Sequence, residues 1–161
     1  MPVLAGRDIR GTRAGCPSEV IATTRPATRA PKRILLADPC RDTVESTAWL
    51  LRLWGYDVRG AGTGLETLEV ALTYHPEVVL MELGLPGLDG CQVARRLRQR
   101  GSHTELLLVA VTGYGDEKNR RHSREAGFDC HLVKPVDPVV LQGLLATSGR
   151  EAGGRYPPGA V

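Results

Sequence analysis

Four polar residues stand at or near the ends of short apolar runs: Asp38, Glu82, Thr112 and Lys134. Such apolar runs are typical of buried strands, and an open parallel α/β sheet collects ligands and chemistry at the carboxyl ends of its strands. Two carboxylates, a hydroxyl and an ammonium at one sheet edge form a cluster suited to a metal-bound phosphoryl group. The sequence therefore predicts a site of that kind at this edge.

The elements that must position these residues alternate along the chain. Strands are predicted at residues 33–37, 56–60, 77–83, 106–112 and 128–133, and helices at 42–54, 63–74, 89–100, 116–126 and 137–146. Five alternating strand and helix units predict parallel βαβ crossovers. Right-handed crossovers with helices on both faces give a doubly wound, flavodoxin-like α/β sheet, most simply in the order 2-1-3-4-5.

Local patterns also predict helix starts and faces. The first helix is expected to begin with a capping box that spans Asp42 to Glu45. Apolar residues assigned to inner faces include Trp49 and Leu53 in the first helix and Leu65 and Leu72 in the second. The arginines of the third helix are predicted to face water: Arg95, Arg96, Arg98 and Arg100.

Composition separates a central domain, residues 32–147, from two polar ends. Residues 1–31 and 148–161 are expected to form a disordered leader and tail. The leader carries five arginines against two acidic residues, so the net charge of +3 belongs to it. A basic segment can bind nucleic acid or a membrane surface, but this one has no aromatic residue and no apolar periodicity, which favours a solvated segment.

Several classes of protein are disfavoured by features that the sequence lacks. No apolar run reaches the roughly 18 residues of a membrane span, and the N-terminus has no apolar signal-peptide core. The four cysteines show no CxxC and no zinc-type spacing with histidine. No helix-turn-helix pattern is evident. These features predict a cytoplasmic protein with reduced thiols and no nucleic-acid or membrane partner.

The motifs taken together resemble the receiver domain of response regulators. Their residues are most similar to those of receivers attached to hybrid histidine kinases. The resemblance rests on residues 34–38, 76–90, 111–115 and 127–137. It implies that an aspartate accepts a phosphoryl group from a phosphohistidine, two neighbouring acids hold Mg²⁺, a lysine pairs with the phosphoryl group, and a threonine or serine reorients. It further implies that an aromatic residue on strand five swings inward. The helix 4/strand 5/helix 5 face then changes its contacts with a histidine kinase or other signalling protein.

Three positions match the site of this family: Asp38, Thr112 and Lys134. The resemblance also implies a cis peptide bond at Lys134–Pro135, where proline makes that isomer accessible. By family position, a Mg²⁺ ion would be held by Asp38, Glu82 and the carbonyl of Gly84.

Three other positions depart from the family pattern: Glu82 replaces the phosphoacceptor aspartate, Pro39 the second Mg²⁺-binding acid, and His131 the switch aromatic. Glu82 adds one methylene, which moves its carboxylate by up to about 1.5 Å, and a nucleophile misplaced on this scale reacts poorly. Pro39 removes a metal ligand, and Mg²⁺ is held by few protein groups. We therefore expect negligible phosphoryl acceptance and weak Mg²⁺ binding if any.

Two interpretations of Glu82 stay open. Its longer carboxylate could reach Lys134 and Thr112 as a partial mimic of a phosphoryl group, or it could form an ion pair that only neutralises buried charge. His131 could sense pH as a switch ring, or it could have no switch role.

The sequence thus predicts a phosphorylation-independent receiver that is not an enzyme, needs no cofactor and acts by protein contact. The alternative is a working phosphoacceptor that takes a phosphoryl group at Glu82 with Mg²⁺ and catalyses its own dephosphorylation. A third interpretation is a fragment or decayed copy of a larger hybrid kinase.

Overall fold

The computed structural model describes residues 30–100 and 105–148. The strands are β1 (Arg33–Ala37), β2 (Asp57–Ala61), β3 (Val78–Met81), β4 (Leu107–Thr112) and β5 (Cys130–Val133). The helices are α1 (Arg41–Leu53), α2 (Gly64–Tyr74), α3 (Gly90–Gln99), α4 (Glu117–Ala126) and α5 (Pro138–Thr147). The predicted leader and tail lie outside the described residues except at residues 30, 31 and 148.

All five strands are parallel, and they follow the predicted order β2-β1-β3-β4-β5. The predicted doubly wound, flavodoxin-like fold is therefore confirmed. Most element boundaries fall within one or two residues of the predicted ones, as is usual at helix and strand ends. Within the described residues, no helix has the length and apolar character needed to cross a bilayer.

The core has two halves, one on each face of the sheet, because successive strand side chains point to opposite faces. One face carries Leu35, Val79 and Leu108 and is covered by α2, α3 and α4. The other carries Ile34 and Leu80 and is covered by α1 and α5. The carboxyl ends of the central strands are thus left open between the two helical layers.

The start of α1 differs from the prediction. The helix begins at Arg41, one residue earlier than expected, and its N-cap residue Cys40 makes no side-chain capping hydrogen bond. The predicted capping box at Asp42 is therefore wrong. The Asp38 carboxylate accepts the Cys40 N–H at 2.8 Å, which turns the chain into the helix early, and Glu45 instead pairs with Arg41 at 2.7 Å.

The predicted inner faces of α1 and α2 were partly wrong. Trp49 and Leu53 are 65% and 62% exposed, and Leu65 and Leu72 are 59% and 44% exposed. Trp49, Leu65 and Leu72 each lie one position from a buried residue, which turns them by about 100° from the core. Leu53 lies two positions from the buried Leu51. Those buried residues are Ala48 and Leu51 in α1, and Gly64, Thr67, Leu68, Ala71 and Tyr74 in α2.

Arg98 was predicted to face water but instead joins three elements at the amino edge of the sheet. Its guanidinium donates to the carbonyls of Gly127 at 2.9 Å and Leu106 at 2.8 Å. It also pairs with the Asp129 carboxylate at 2.5 Å, which in turn accepts the Leu108 N–H at 2.8 Å. The rigid fork of donors on arginine suits such a site. We call this group the Arg98 clamp.

Candidate functional site at the carboxyl edge of the sheet

Backbone hydrogen bonds place three charged residues just beyond the ends of the strands. The Asp38 N–H donates to Ala61 O at 3.1 Å, and the Glu82 N–H donates to Ala37 O at 2.8 Å. The Lys134 N–H donates to Thr112 O at 2.9 Å. Each bond extends a parallel ladder by one residue, so the main chain fixes where these side chains begin.

A close approach of α3 holds the end of β3 from the other side. The Gly90 N–H donates to Leu83 O at 2.8 Å. A Cβ atom at position 90 would lie 2.7 Å from the carbonyl oxygen of Glu82 and 3.0 Å from the Cα of Leu83. Only glycine therefore lets the N-terminus of α3 pack so closely against the strand that carries Glu82.

The centre of the site is a lysine that bridges two carboxylates. The Lys134 ammonium donates to Asp38 Oδ2 at 2.5 Å and to Glu82 Oε2 at 2.8 Å. The side chains are 32% exposed for Lys134, 11% for Asp38 and 14% for Glu82. We call these three residues the Lys134 triad. The structure thus brings three of the four residues singled out from the sequence into one ion-paired cluster, and the hydroxyl of the fourth, Thr112, donates to Glu82.

The Glu82 carboxylate is folded back over its own loop. Oε1 accepts the Leu83 N–H at 2.8 Å and the Gly84 N–H at 3.4 Å, while Oε2 accepts Lys134. Partial burial opposes ionisation, but the hydrogen bonds from Lys134 and the Thr112 hydroxyl outweigh it, and the pKa of Glu82 is lowered. Both oxygens of this ionised group are therefore already engaged by the protein.

The other two members of the Lys134 triad are engaged in the same way. Desolvation lowers the pKa of Lys134, but the hydrogen bonds to Asp38 and Glu82 outweigh it, and the net effect raises that pKa. Asp38 uses Oδ1 for the Cys40 N–H and Oδ2 for Lys134. The cluster carries two negative charges and one positive charge.

The donor set for a metal ion is small. Across the described ranges, no group of three or more His, Cys, Asp or Glu side chains is arranged to hold an ion. Both carboxylates of the predicted Mg²⁺ site, Asp38 and Glu82, already accept N–H groups on each oxygen. Pro39, which is exposed, offers no side-chain oxygen in place of the missing acid.

Thr112 lies at the end of β4 and its side chain is completely buried. Its hydroxyl oxygen is 3.4 Å from the N–H of Tyr114. The hydroxyl therefore stands at the predicted edge of the sheet, beneath the loop that leads to α4.

His131 is tied through both ring nitrogens. Nε2 lies 2.9 Å from the Tyr114 carbonyl, which only accepts hydrogen bonds, so this nitrogen carries the hydrogen. Nδ1 lies 2.9 Å from the hydroxyl of Ser123 on α4, which is also 3.0 Å from the Arg120 carbonyl. The ring thus joins β5 to α4 and to the loop before it.

Sequence reasoning missed the partners that hold these residues. Ser123 and Tyr114 fix the His131 ring, and the Cys40 N–H holds the Asp38 carboxylate. Ser123 sits among charged residues of a polar helix, so only its burial, at 1% exposure, distinguishes it. The Lys134–Pro135 peptide bond is cis, as the resemblance implies.

Comparison with known proteins identifies the same type of domain. The family described as "Response regulator receiver domain" matches residues 34–146. The transcriptional regulatory protein SrrA of Staphylococcus aureus is 36% identical over 89 residues, which cover 54% of this chain and 36% of SrrA. The match therefore spans little more than a third of that relative's length.

Solved structures agree with the fold and its extent. A CheY-like response regulator receiver domain protein from Methanospirillum hungatei JF-1 is similar with a TM-score of 0.67 and 28% identity, over 72% of this chain and 91% of that one. The BeF3-activated N-terminal receiver domain of Klebsiella pneumoniae RstA is similar with a TM-score of 0.69 and 26% identity, over 74% of this chain and 100% of that one.

Proposed function

Because the chain belongs to the response regulator receiver family of two-component signalling, we propose that it is a phosphorylation-independent receiver. In this proposal the domain acts through contact with a histidine kinase or another signalling protein. It does not accept a phosphoryl group and does not catalyse a reaction of its own.

The observation that carries the proposal is the bond between Lys134 and Glu82. In the family, the lysine pairs with the phosphoryl group; here Lys134 is bonded at 2.8 Å to the side chain at the acceptor position and at 2.5 Å to Asp38. A nucleophilic carboxylate needs a free oxygen in line with the donor phosphorus. Both oxygens of Glu82 are instead engaged, one with Lys134 and one with the Leu83 N–H.

The poor fit of Mg²⁺ supports the same proposal. This ion demands a nearly octahedral shell of oxygens, and the side chain at position 39 offers none. A transferring phosphoryl group needs its developing charge neutralised, so loss of the metal and misplacement of the carboxylate impede one and the same step. Phosphoryl transfer to this domain would therefore lack both the metal ion and a correctly placed nucleophile.

The pairing also suggests that the switch is held in one state. Glu82 presents one negative charge to Lys134, compared with nearly two on a phosphoryl group, and His131 is fixed by Ser123 and Tyr114. We propose that the triad acts as a permanent internal pair, so that the partner surface does not depend on a phosphorylation signal.

The surface proposed to meet the partner is the one formed by α4, β5 and α5. It exposes apolar side chains together with arginines. Aromatic residues and arginine are both enriched at protein interfaces. Tyr114, in the loop before α4, is 70% exposed, and Val139 and Val140 of α5 are 76% and 38% exposed. Arg121 and Arg124 on α4 are also exposed.

A phosphotransfer experiment tests the proposal. The full chain is incubated with Mg²⁺ and a small phosphoryl donor, acetyl phosphate, and intact mass spectrometry measures the fraction that gains one phosphoryl group. The native chain should show none, whereas the double variant Glu82→Asp with Pro39→Asp should become labelled, because it restores both the shorter nucleophile and the acid.

The variant Glu82→Gln serves as the control for the labelled position. Phosphoryl label on the native chain that disappears in Glu82→Gln would establish the alternative, a working phosphoacceptor. If that label then decays faster with Mg²⁺ than without, the domain also catalyses its own dephosphorylation.

A further inference from the structure

A cavity of about 300 Å³ lies between α1 and α5, directly beside the Lys134 triad. Its volume is at the lower end of the range of roughly 300–1,000 Å³ found for small-molecule sites. Its floor is formed by side chains at the ends of the central strands, including Leu36, Leu80 and Val111. The cavity is therefore a built part of the sheet edge.

The cavity has two chemically different parts. Its sides are formed by Val44 and Leu50 of α1 and by Leu141 of α5, and most of the lining is apolar. Thr43 and Thr47 add two hydroxyls that lie one helical turn apart on α1. One end is formed by Asp38, Glu82 and Lys134. An apolar chamber with charge confined to one end suits an amphipathic molecule.

The charges at that end decide which amphipathic molecule fits. Asp38 and Glu82 contribute two negative charges, and Lys134 contributes one positive charge, so the cluster has a net charge of −1. Lys134 already donates to one oxygen of each carboxylate, at 2.5 Å and 2.8 Å, but a carboxylate oxygen has two lone pairs and can accept a second hydrogen bond from another ammonium. A second cationic head would neutralise the cluster, whereas an anionic head would meet two carboxylates for one lysine.

We propose that this cavity binds a small organic amine, with its ammonium at Asp38 and Glu82 and its apolar body between α1 and α5. Such a head needs hydrogen-bond acceptors but no octahedral shell, so it fits a donor set that is poor for Mg²⁺. The apolar walls would also bury the hydrocarbon body of the amine, which is favourable. A hydrated inorganic ion has no such body.

The inference goes beyond the proposed function and adds a ligand to it. The cavity wall includes Leu141 and Pro138 of α5, a helix that also belongs to the proposed partner surface. An amine seated there contacts α5 directly and can bias that surface without phosphoryl chemistry. Phosphotransfer and amine binding are measured separately, so either can fail while the other holds.

Calorimetric titration of the full chain with phenethylamine tests the inference. Phenethyl alcohol has the same apolar body without the charge, and hydrocinnamate has a similar body with the opposite charge. We expect saturable binding of the amine, about tenfold tighter than that of the alcohol, and weaker binding still of the acid. Amide NMR shifts should be centred on Thr47, Leu50 and Leu141.

Two substitutions locate the site. Thr47→Trp fills the cavity from α1 and should weaken amine binding by about tenfold or more, whereas Thr73→Trp, the same change on exposed α2 across the sheet, should leave it unchanged. Glu82→Gln adds no bulk and should abolish the preference for the amine over the alcohol, which keeps the test valid if Thr47→Trp does not fold.

Three results would overturn the inference. They are the absence of saturable amine binding, equal affinities for amine and alcohol in the native chain, and unchanged amine affinity in folded Thr47→Trp.

Discussion

The amino and carboxyl edges of the sheet each carry a cluster of paired charges, and the two clusters are built differently. At the amino edge, the Arg98 clamp sets one positive charge against one negative charge, Asp129, and uses the other donors of Arg98 on backbone carbonyls. At the carboxyl edge, the Lys134 triad consists of side chains, and its two carboxylates outnumber the lysine.

We infer from this difference that the clamp has a structural role and that the triad is a candidate binding site. The clamp provides hydrogen bonds to carbonyls at the start of β4 and beside α4, and its positive and negative charges balance. These contacts are enough to account for the presence of Arg98 and Asp129. The triad retains an excess negative charge next to a cavity, at the edge where parallel sheets bind ligands. Titratable groups that sit in a cleft beside charged partners are candidates for a functional site.

The largest expected loss of stability follows from breaking the clamp. Arg98→Met removes three hydrogen bonds, two of them to carbonyls, and should lower the free energy of unfolding by about 3 kcal/mol. Urea denaturation measures the change. Arg96→Met, on the exposed face of the same helix, should stay within about 0.5 kcal/mol of the native chain. Equal effects of the two substitutions would contradict a structural role for Arg98.

Removing the lysine of the triad should cost less than removing Arg98. Lys134→Met leaves two neighbouring carboxylates without their shared cation, and we expect a loss of about 2 kcal/mol, since water reaches the site and one carboxylate can take up a proton. The same urea experiment at neutral pH gives the value, with Lys118→Met on exposed α4 as the control. A gain in stability on Lys134→Met would show that the triad is not a stabilising pair.

The pH dependence of the triad should be smaller again and has a defined sign. The pKa of Glu82 is lowered from its ordinary value of 4.5, so its stabilising effect is present above that value and is lost as pH falls through the folded-state pKa. The pKa of Lys134 is raised from 10.5, so its effect is present below that value and is lost as pH rises through the folded-state pKa.

The difference in unfolding free energy between the native chain and Glu82→Gln measures this dependence. It should be constant between about pH 5 and 10 and should shrink on strong acidification. A difference that persists unchanged in acid would mean that the Glu82 charge does not contribute to stability.

The smallest effect on stability is expected at an ion pair that is far more exposed than the Arg98 clamp or the Lys134 triad. Arg41 and Glu45 lie one turn apart on α1 with side chains that are 88% and 62% exposed. Arg41→Met should leave the free energy of unfolding unchanged within experimental error. Thermal denaturation at low and high salt measures the effect. A large loss of stability that does not depend on salt would show that the exposure of this ion pair does not predict its contribution to stability.

The sheet could be predicted from the sequence because each strand is an apolar run and each connection has helical length. The strand order and the edge that gathers Asp38, Glu82 and Lys134 follow from these two features. Helix faces were harder, because leucines such as Leu65 and Leu72 lie one position from the buried row and share its apolar character.

The details of the two edges depend on contacts between residues far apart in the sequence. Arg98 meets Asp129 across 31 residues, and nothing near it distinguishes it from Arg95 or Arg96. The back-folded Glu82 carboxylate likewise depends on the Leu83 N–H and on Lys134. Periodicity describes which face a residue occupies, but it contains no information on such pairings.

In the native chain, Lys134 and the Leu83 N–H engage the two oxygens of the Glu82 carboxylate, and we propose that the family's phosphoryl chemistry therefore does not occur. An amide NMR titration with Mg²⁺ and beryllofluoride, a phosphoryl mimic, measures this directly at Thr112 and Lys134. We expect no saturable shift of these signals in the native chain and a saturable shift in Glu82→Asp with Pro39→Asp. Saturable shifts of the same signals in the native chain would contradict it.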